Sequence, residues 1–428
     1  DKGGLYFGAH DDSFSAKSFS VRHNPTNKTL GLAFRHQLVC SNGQKWKMQP
    51  VMLYPYSGQW HVGADTYRSW FDTAIKMQNM PDWIKNSGGW MLTIMKQQNE
   101  EIMWKYDDLD DLVSLSAERG LDVLGLYGWA HGGHDRFYPD YFPDEPMGGE
   151  AKLKEALKNI RNRGMRSIIY VNGQLIDQNG TDYWGEIGQH ITVTKEKGGL
   201  DYQKWWKYRD APARFHGMAC LGTDQWYERM LYLAVRANEL GADGIIYDQL
   251  AVTAPKFCYA DNHGHATPAV VYEQDRYRLL TRIADYMKTL NPDFIIMTEG
   301  LSDVVQNSIS AFHGYSNGVY VPKQFELDER YDKTGATYIY PEMYKHTFTE
   351  MLTTVRNPAP VANRLIMNYA TVYGMRQELE SRYAADVSYL KEDRIPQIED
   401  YSNIVSKTDL ELVTTEDPHA SKKYMKAI

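Results

Sequence analysis

The sequence predicts an α/β fold, namely a (β/α)8 barrel preceded by an antiparallel β-sandwich, or by the last part of one. Residues 1 to about 78 contain short alternating runs separated by Gly, Asn, Pro and Ser clusters, which are typical of strands and turns. From about residue 88, apolar strands alternate with one-sided helices, which indicates βα units and a parallel sheet. The remaining length suits a TIM-type barrel of about 250 residues with insertions.

Five strands of the barrel are predicted from apolar runs that end in polar residues. They cover residues 89–97, 122–129, 167–174, 243–249 and 293–300. Helices are predicted between them, over residues 107–120, 150–164, 223–241 and 267–292, and the first three end at a glycine, the usual helix stop. The candidates for strands six to eight are residues 310–315, 336–343 and 364–370.

This pattern divides the 428 residues into three segments. The N-terminal β-sandwich is expected over residues 1–78 and the catalytic barrel over 79–390, while the polar segment 391–428 is unassigned. Residues 177–222 form a long insertion after the third strand of the barrel.

Composition excludes several classes of function. The net charge is −8 and no basic stripe is present, which argues against nucleic acid as a partner. No apolar run approaches the roughly 18 residues of a membrane span, and no GxGxxG or phosphate loop indicates a nucleotide cofactor. The three cysteines, Cys40, Cys220 and Cys258, lie far apart, so we expect small buried apolar residues rather than disulfides or a CxxC metal pair.

Two acids follow buried strands in the same local pattern. Asp248 ends the fourth predicted strand and Glu299 ends the fifth. Active sites of such barrels form at the carboxyl ends of the strands, and neighbouring strands lie about 4.8 Å apart. Retaining glycosidases need two carboxyls about 5–5.5 Å apart, so the pair predicts catalysis. The alternative is that each acid pairs with an arginine or caps the following helix.

The loop 128–150, just past the second strand, combines histidines, acids, aromatic rings and two glycine pairs. A polyhydroxylated ligand suits such a loop, because sugars need fixed donors and acceptors and flat aromatic faces. The alternative is an Ω-loop held by its own side chains. A metal bound by His131, His134 and Asp135 is disfavoured, because no further histidine cluster completes such a site, and no metal or other cofactor is expected. The predicted substrate-binding residues are Trp129, His131, His134, Asp135, Tyr138, Asn172, Gln249 and Glu342.

Four motifs carry a resemblance to a known family. They are GWxxGGHDRFYPDYFPD after strand two, DGIIYDQ at strand four, IIMTEG at strand five, and YPEMYKHTFTE further on. Together they resemble bacterial glycosidase barrels similar to endo-α-N-acetylgalactosaminidases and, more distantly, to α-galactosidases, over roughly residues 1–380. The resemblance implies a retaining mechanism on α-linked sugars, with Asp248 at the position of the nucleophile and Glu299 at that of the acid/base. The contacts to a substrate acetamide group have no match in this sequence.

The expected function is therefore that of a retaining α-glycoside hydrolase acting on an oligosaccharide or glycan, of the galactose or N-acetylgalactosamine type. The alternatives are an inverting or β-acting glycosidase on the same barrel, and a carbohydrate-binding barrel without catalysis. The chain opens without a methionine and without a signal segment, as a processed chain would. An extracellular, periplasmic or cell-surface location is expected.

Overall fold

The N-terminal region forms two small antiparallel sheets. The structure is a computed structural model, and it describes residues 2–381 apart from 41, 44, 119, 206–213, 314–341 and 358–373. Strand β1 (Gly3–Ala9) pairs with β4 (Val51–Ser57), and β2 (Lys17–Asn24) pairs with β3 (Thr29–His36). All four strands lie within residues 1 to about 78, where the sequence predicted strands and turns. The antiparallel region is confirmed, and the predicted sandwich takes the form of two ribbons in contact through the rings of Phe7 and Phe19, 5.0 Å apart.

Eight of the later strands close into a parallel barrel. In chain order the later strands are β5 (Gly89–Ile94), β6 (Val123–Tyr127), β7 (Arg166–Asn172), β8 (Leu175–Asp177), β9 (Tyr202–Trp205), β10 (Arg214–Met218), β11 (Gly244–Asp248), β12 (Lys256–Cys258), β13 (Ala269–Val271), β14 (Ile295–Glu299), β15 (Ala311–His313), β16 (Leu352–Asn357) and β17 (Arg376–Ser381). The order around the barrel is β5-β6-β7-β11-β14-β15-β16-β17, and β17 closes onto β5.

Helices cover the barrel between its strands. The described helices are α1 (His61–Ala74), α2 (Asp82–Lys85), α3 (Leu109–Ala117), α4 (Gly149–Asn162), α5 (Gln189–Ile191), α6 (Asp224–Leu240), α7 (Gln274–Leu290) and α8 (Glu342–Thr347). In α6 the predicted apolar face is buried, including Trp226, Met230 and Leu233. The helix ends at Gly241, whose φ of 103° lies in the left-handed region that glycine adopts without steric cost.

Two small sheets extend the barrel at the carboxyl ends of its strands. Strands β8, β10 and β9 form a three-stranded antiparallel sheet within the insertion that follows β7. Strands β12 and β13 form a hairpin in the segment that follows β11. Both therefore stand on the side of the barrel where Asp248 and Glu299 end their strands.

Several predicted elements are corrected by the structure. The seventh and eighth barrel strands are β16 and β17, whereas residues 336–341 and 364–370 of the predicted strands lie outside the described residues. Glu342 begins α8 instead of ending a strand. The helix predicted from residue 267 starts only at Gln274, because residues 269–271 form β13.

The cysteines only partly follow the expectation of small buried apolar residues. Cys220 and Cys258 are buried, but Cys40 is exposed, so the expectation is wrong for Cys40.

The predicted C-terminal segment 391–428 lies outside the described residues, and the domain boundaries remain predictions. Within the described residues, no helix has both the length and the apolar character that crossing a bilayer requires.

Candidate active site

A row of polar side chains runs across four neighbouring strand ends of the barrel. Asp248 of β11 lies in register with Asn172 of β7. Tyr247 and Thr298 are register partners in β11 and β14, so Asp248 and Glu299 are the next residues on these two strands. Glu299 in turn lies in register with His313 of β15. The two predicted catalytic acids therefore end adjacent strands, on the side of a barrel where active sites form.

The environment of Asp248 favours its protonated form more than water would. Burial raises the pKa of Asp248 well above its usual range, and the charge of Glu299 raises that pKa further. His313 and a hydrogen bond from Tyr170 oppose this rise. Because the two carboxyls interact, they titrate as a pair rather than as separate acids. Such a pair keeps a proton to higher pH than an isolated carboxyl does.

Two tyrosines connect Asp248 to a second carboxyl. The Tyr170 hydroxyl donates to Asp248 Oδ2 over 2.9 Å, and Tyr138 Oη lies 3.2 Å from Tyr170 Oη. The Tyr138 hydroxyl also donates to Asp135 Oδ1 over 2.9 Å. Burial raises the pKa of both tyrosines well above 10, so both hydroxyls keep their protons. Three oxygen–oxygen contacts thus link two carboxyls through two hydroxyl protons.

A second buried acid supports His313 from inside the barrel. Glu378 Oε2 lies 2.7 Å from His313 Nδ1 and accepts hydrogen bonds from the indole of Trp90 and the hydroxyl of Thr354, over 2.8 and 2.7 Å. These partners belong to three different strands, so the Glu378 side chain points into the barrel. Glu378 therefore fixes the ring of His313 next to the paired acids.

The loop 128–150 is held against the segment that follows β5. Lys96 forms a buried ion pair with Asp144 at 3.1 Å and donates to the backbone oxygen of His131 over 2.8 Å. At Gly128 and Gly133, where φ is positive, an added Cβ would lie 2.3 Å from Lys96 O and 2.4 Å from Gln97 O. Only glycine allows this close approach of two backbones, so the two glycines set the position of the loop.

Asp135 stands where this loop meets the tyrosines. Its Oδ2 accepts a hydrogen bond from Gln98 Nε2 over 2.9 Å and lies 3.6 Å from His134 Nε2. The ring of His134 lies 5.2 Å from that of Tyr170. The structure thus brings His134, Asp135 and Tyr138 together with Asp248.

The other predicted binding residues have different surroundings. Trp129 is buried and its indole donates to Tyr170 O of β7 over 2.8 Å. His131 stacks on Phe137 at 5.1 Å. Trp129 therefore fixes the loop to the barrel, and His131 packs within the loop. The Asn172 side chain accepts hydrogen bonds from two backbone amides. Gln249 Oε1 accepts from Gln174 Nε2 over 2.7 Å, so the amide of the residue that follows Asp248 is held in a fixed orientation.

Sequence reasoning missed Tyr170, His313 and Glu378. Tyr170 could have been found, because it precedes Asn172 by two residues and therefore shares its face of the strand. His313 ends a correctly predicted strand. Glu378 lies in β17, which has no apolar run to reveal it.

A cavity of about 540 Å³ lies away from the paired acids. It is lined by the first N-terminal sheet, α1 and the segment after β14, including Tyr6, Tyr67 and Asp303. Neither Asp248 nor Glu299 lines it, so it is separate from the candidate active site. The chemistry of the paired acids outweighs the size of this cavity as an indication of function.

In the part of the chain that the structure describes, the histidines of the 128–150 loop belong to no group that could bind a metal ion. Among the described residues, the one group of three or more His, Cys, Asp or Glu side chains close enough to share an ion is Cys220, Cys258, His263 and His265. It lies in the segments before α6 and around β12, outside the row of strand-end residues.

Comparison with known proteins places the chain in a family. Residues 47–326, more than half of the chain, match the family model described as a domain of unknown function, DUF6259. The chain belongs to the DUF6259 family.

Curated relatives of this DUF6259 chain are distant and longer. A Bacteroides thetaiotaomicron protein named "Putative glycoside hydrolase" is 24% identical over 277 residues, which are 62% of this chain and 38% of the relative. A Monosiga brevicollis protein with a similar name is also 24% identical, over 356 residues, 72% of this chain and 28% of the relative. The chain therefore spans well under half the length of either relative.

Solved structures share the fold at low sequence identity. Alpha-N-acetylgalactosaminidase NagBb from Bifidobacterium bifidum matches with a TM-score of 0.69 at 14% identity, covering 94% of this chain and 66% of that one. Its GalNAc complex matches with a TM-score of 0.66 at 13% identity, covering 94% and 65%. The GH36 alpha-galactosidase AgaA from Geobacillus stearothermophilus gives 0.57 at 10% identity, covering 97% and 55%. The predicted resemblance to these barrels is confirmed at the level of the fold.

Proposed function

We propose that this chain is a retaining glycoside hydrolase that cleaves α-linked sugars of the galactose or N-acetylgalactosamine type. The observation that carries the proposal is the pair of interacting carboxyls, Asp248 and Glu299, at the ends of adjacent barrel strands. A glycosidase needs two acids facing one glycosidic bond. The names of the relatives and the fold of the solved neighbours support the same chemistry.

In the proposed mechanism, Asp248 attacks the anomeric carbon while the glycosidic C–O bond breaks. Glu299 gives its proton to the departing oxygen, leaving a covalent glycosyl ester on Asp248. Glu299 then takes a proton from water, whose oxygen attacks the anomeric carbon as the ester bond breaks. Two inversions give net retention of the α-anomer.

The roles of the two acids require the shared proton to reside on Glu299. Asp248 receives the hydrogen bond from Tyr170, and donation to a carboxylate stabilises its ionised form. His313 acts in the same direction on the pKa of Asp248. These two groups oppose the rise in the pKa of Asp248 that burial and Glu299 cause, and in the proposed mechanism Asp248 is the ionised member of the pair and thus the nucleophile.

Substrate hydroxyls would be held by the polar side chains around the pair. Asp135 and His134 present a carboxylate and an imidazole from the 128–150 loop, and Gln249 presents an amide held in place by Gln174. Such groups, whose positions are set by other hydrogen bonds, suit a ligand with many hydroxyls.

The test is a screen of nitrophenyl α-glycosides with the full chain, followed by NMR of the first-formed anomer. Retention is expected. Asp248→Asn should reduce turnover to background on every substrate. Glu299→Gln should be milder on nitrophenyl glycosides, because nitrophenolate leaves with little protonation. Asp293→Asn is the matched control, since Asp293 is an exposed acid at the opposite end of β14, and it should leave turnover unchanged.

Azide separates the two roles. With Glu299→Ala, azide should attack the glycosyl ester without a base and give an α-glycosyl azide. With Asp248→Ala, azide should replace the missing nucleophile and give the β-product. If Glu299→Ala gave the β-product and Asp248→Ala the α-glycosyl azide, Glu299 would be the nucleophile and Asp248 the acid/base. Inversion in the wild-type reaction would favour the inverting alternative, and binding of galactosides without any turnover would favour the non-catalytic barrel.

A further inference from the structure

Two cysteines and two histidines converge beside the hairpin that follows the strand of Asp248. Cys220 lies between β10 and α6, and Cys258 is the last residue of β12. His263 and His265 lie in the loop that joins β12 to β13. Residues from two separate segments of the chain thus meet at one point.

The spacing of their ligand atoms matches a tetrahedral metal site. All four atoms lie within 4.8 Å of one another. Cys220 Sγ is 3.4 Å from His265 Nε2, and Cys258 Sγ is 3.4 Å from His263 Nδ1. Around a tetrahedral zinc ion, with Zn–S of about 2.3 Å and Zn–N of about 2.0–2.1 Å, a sulfur and a nitrogen are separated by about 3.6 Å. The observed distances are close to that value.

The second nitrogen of each imidazole is already engaged in a way that suits metal binding. His263 Nε2 lies 2.8 Å from the backbone oxygen of His190, and His265 Nδ1 lies 2.9 Å from that of Ala266. A carbonyl only accepts, so each of these nitrogens carries the proton. In the neutral rings, the nitrogens facing the sulfur atoms therefore present lone pairs. Metal-binding histidines are oriented by this kind of outer hydrogen bond.

We propose that Cys220, Cys258, His263 and His265 bind one Zn²⁺ ion in a closed structural site. Two thiolates and two imidazoles in tetrahedral arrangement are a donor set that favours zinc. Four protein ligands leave no open position for substrate, so the site is not catalytic. Both cysteines are fully buried and His263 is 6% exposed, so the ion would be shielded from solvent.

The ion would fix the hairpin to the body of the barrel. The hairpin belongs to the segment that begins directly after Asp248, and Thr253 of that segment accepts a hydrogen bond from Gln174. Tyr272, just past β13, donates to Ala219 O over 2.5 Å, next to Cys220. A metal link between Cys220 and the β12–β13 loop would tie this segment to the one that precedes α6, close to the contact of Tyr272 with Ala219.

Metal analysis of the purified full chain tests the proposal. We expect about one zinc per chain, and a content near zero in Cys258→Ser and in His263→Ala. Cys40→Ser is the matched control, because Cys40 is an exposed cysteine outside the cluster, and it should keep the zinc of the wild type. Equal zinc content in Cys40→Ser and Cys258→Ser would overturn the proposal.

Cobalt and thiol measurements on the wild-type chain keep the test independent of how the variants fold. Co²⁺ added to the metal-stripped chain should give the intense visible bands of a tetrahedral thiolate site and should be displaced by Zn²⁺. A mercurial should release zinc as it titrates the two buried thiols. If no cobalt spectrum appears while the thiols of Cys220 and Cys258 are both free, the cluster is held by thiol–imidazole hydrogen bonds and the zinc site is refuted. A Cys220–Cys258 disulfide in the mass spectrum would equally refute the zinc site.

Discussion

At the scale of single residues, the state of Asp248 depends on Tyr170. Burial and the neighbouring Glu299 raise the pKa of Asp248, and the Tyr170 hydroxyl is one of two groups that oppose them. Tyr170 is itself tied to Tyr138, which contacts Asp135. The proposed nucleophile is therefore tuned by a hydroxyl that needs no contact with the substrate.

Replacing Tyr170 by Phe should shift the acidic limb of kcat/KM to higher pH. The proposed nucleophile must be deprotonated, and loss of the donor raises its pKa. A hydrogen bond to a charged group is worth about 1.5–3 kcal/mol, and about 1.4 kcal/mol corresponds to one pKa unit, so a shift of about 1–2 pH units is expected. The measurement is the pH profile of kcat/KM on a nitrophenyl α-glycoside.

Tyr247→Phe is the matched control for this profile. Tyr247 is equally buried, but its hydroxyl donates to Met230 O on the helix side of the barrel over 2.7 Å. This variant should lose some thermal stability and keep the wild-type pH profile. If both variants shift the acidic limb equally, the shift reflects general loosening of the barrel and Tyr170 does not tune Asp248.

At the scale of elements, the 128–150 loop combines a fixed framework with a few groups that face the acids. Gly128 and Gly133 allow the close approach to the backbone of residues 96 and 97, and the Lys96–Asp144 pair is buried beneath. Asp135 is partly exposed and accepts a hydrogen bond from the hydroxyl of Tyr138. Order within the loop and the proposed contacts with substrate thus involve different residues.

Asp135→Asn should weaken substrate binding with little loss of stability. The amide keeps the shape of the side chain, and asparagine tolerates the φ of 58° at this position because it visits left-handed conformations readily. Loss of one charge-assisted hydrogen bond, worth about 1.5–3 kcal/mol, should raise KM by about tenfold or more. Steady-state kinetics and thermal unfolding measure the two effects.

Asp144→Asn provides the contrast within the same loop. It would leave the buried Lys96 ammonium without its counter-charge, which destabilises a protein strongly, so its Tm should fall far more than that of Asp135→Asn. Should Asp135→Asn lower Tm and leave KM unchanged, the loop is an Ω-loop held by its own side chains and the binding role is lost.

The first six strands of the barrel could be predicted because their apolar runs stand out between helices. The last two could not, since β16 and β17 turn polar side chains inward. Thr353, Thr354, Arg376 and Glu378 are all buried, and a run such as RQELES (residues 376–381) reads as surface. Tertiary partners on β5 and β15 satisfy Glu378, and no local pattern reveals them.

The paired acids could be predicted and the Cys–His cluster could not. Asp248 and Glu299 each follow an apolar run, so their positions at adjacent strand ends follow from the order of βα units. Cys258, His263 and His265 lie close together in the sequence, but Cys220 joins them only through the return of the chain after β11. The contact of Cys220 with the other three ligands is therefore visible only in three dimensions.

At the scale of the whole molecule, a buried lysine lies at the end of the barrel opposite the paired acids. Lys345 of α8 is fully buried and donates to the backbone oxygen of Met351 over 2.6 Å. Met351 directly precedes β16, so Lys345 lies at the amino end of the barrel, away from the paired acids. Burial lowers the pKa of Lys345 to about 7, with a smaller contribution from the charge of Arg376.

Lys345→Met should make the free energy of unfolding less dependent on pH between about pH 7 and 10. In this range the unfolded lysine is protonated and the folded one is neutral, so the stability of the wild type decreases as pH falls toward 7, by about 1.4 kcal/mol per unit. Below about 7 both states are protonated and the difference is constant. Denaturant unfolding of both proteins at several pH values measures this effect.

Activity supplies the control for the Lys345 variant. The kcat/KM of Lys345→Met should equal that of the wild type wherever both are folded. Methionine has a shape similar to that of lysine, so the substitution at the amino end of the barrel should not disturb the carboxyl ends of the strands, where the paired acids lie. A parallel dependence of unfolding on pH in the two proteins would show that Lys345 stays charged in the folded chain.

The pairing of β17 with β5 joins the last described strand to the first strand of the barrel. During synthesis the amino-terminal strands emerge first, so β5 has an unsatisfied hydrogen-bonding edge until residues 377–381 arrive. Contacts between segments so distant in the chain form slowly, and an open strand edge invites pairing with another molecule. A chain interrupted before Arg376 would keep β5 and β16 as two free edges. Aggregation of such truncated chains, rather than gradual loss of stability, is the expected result of a late stop codon.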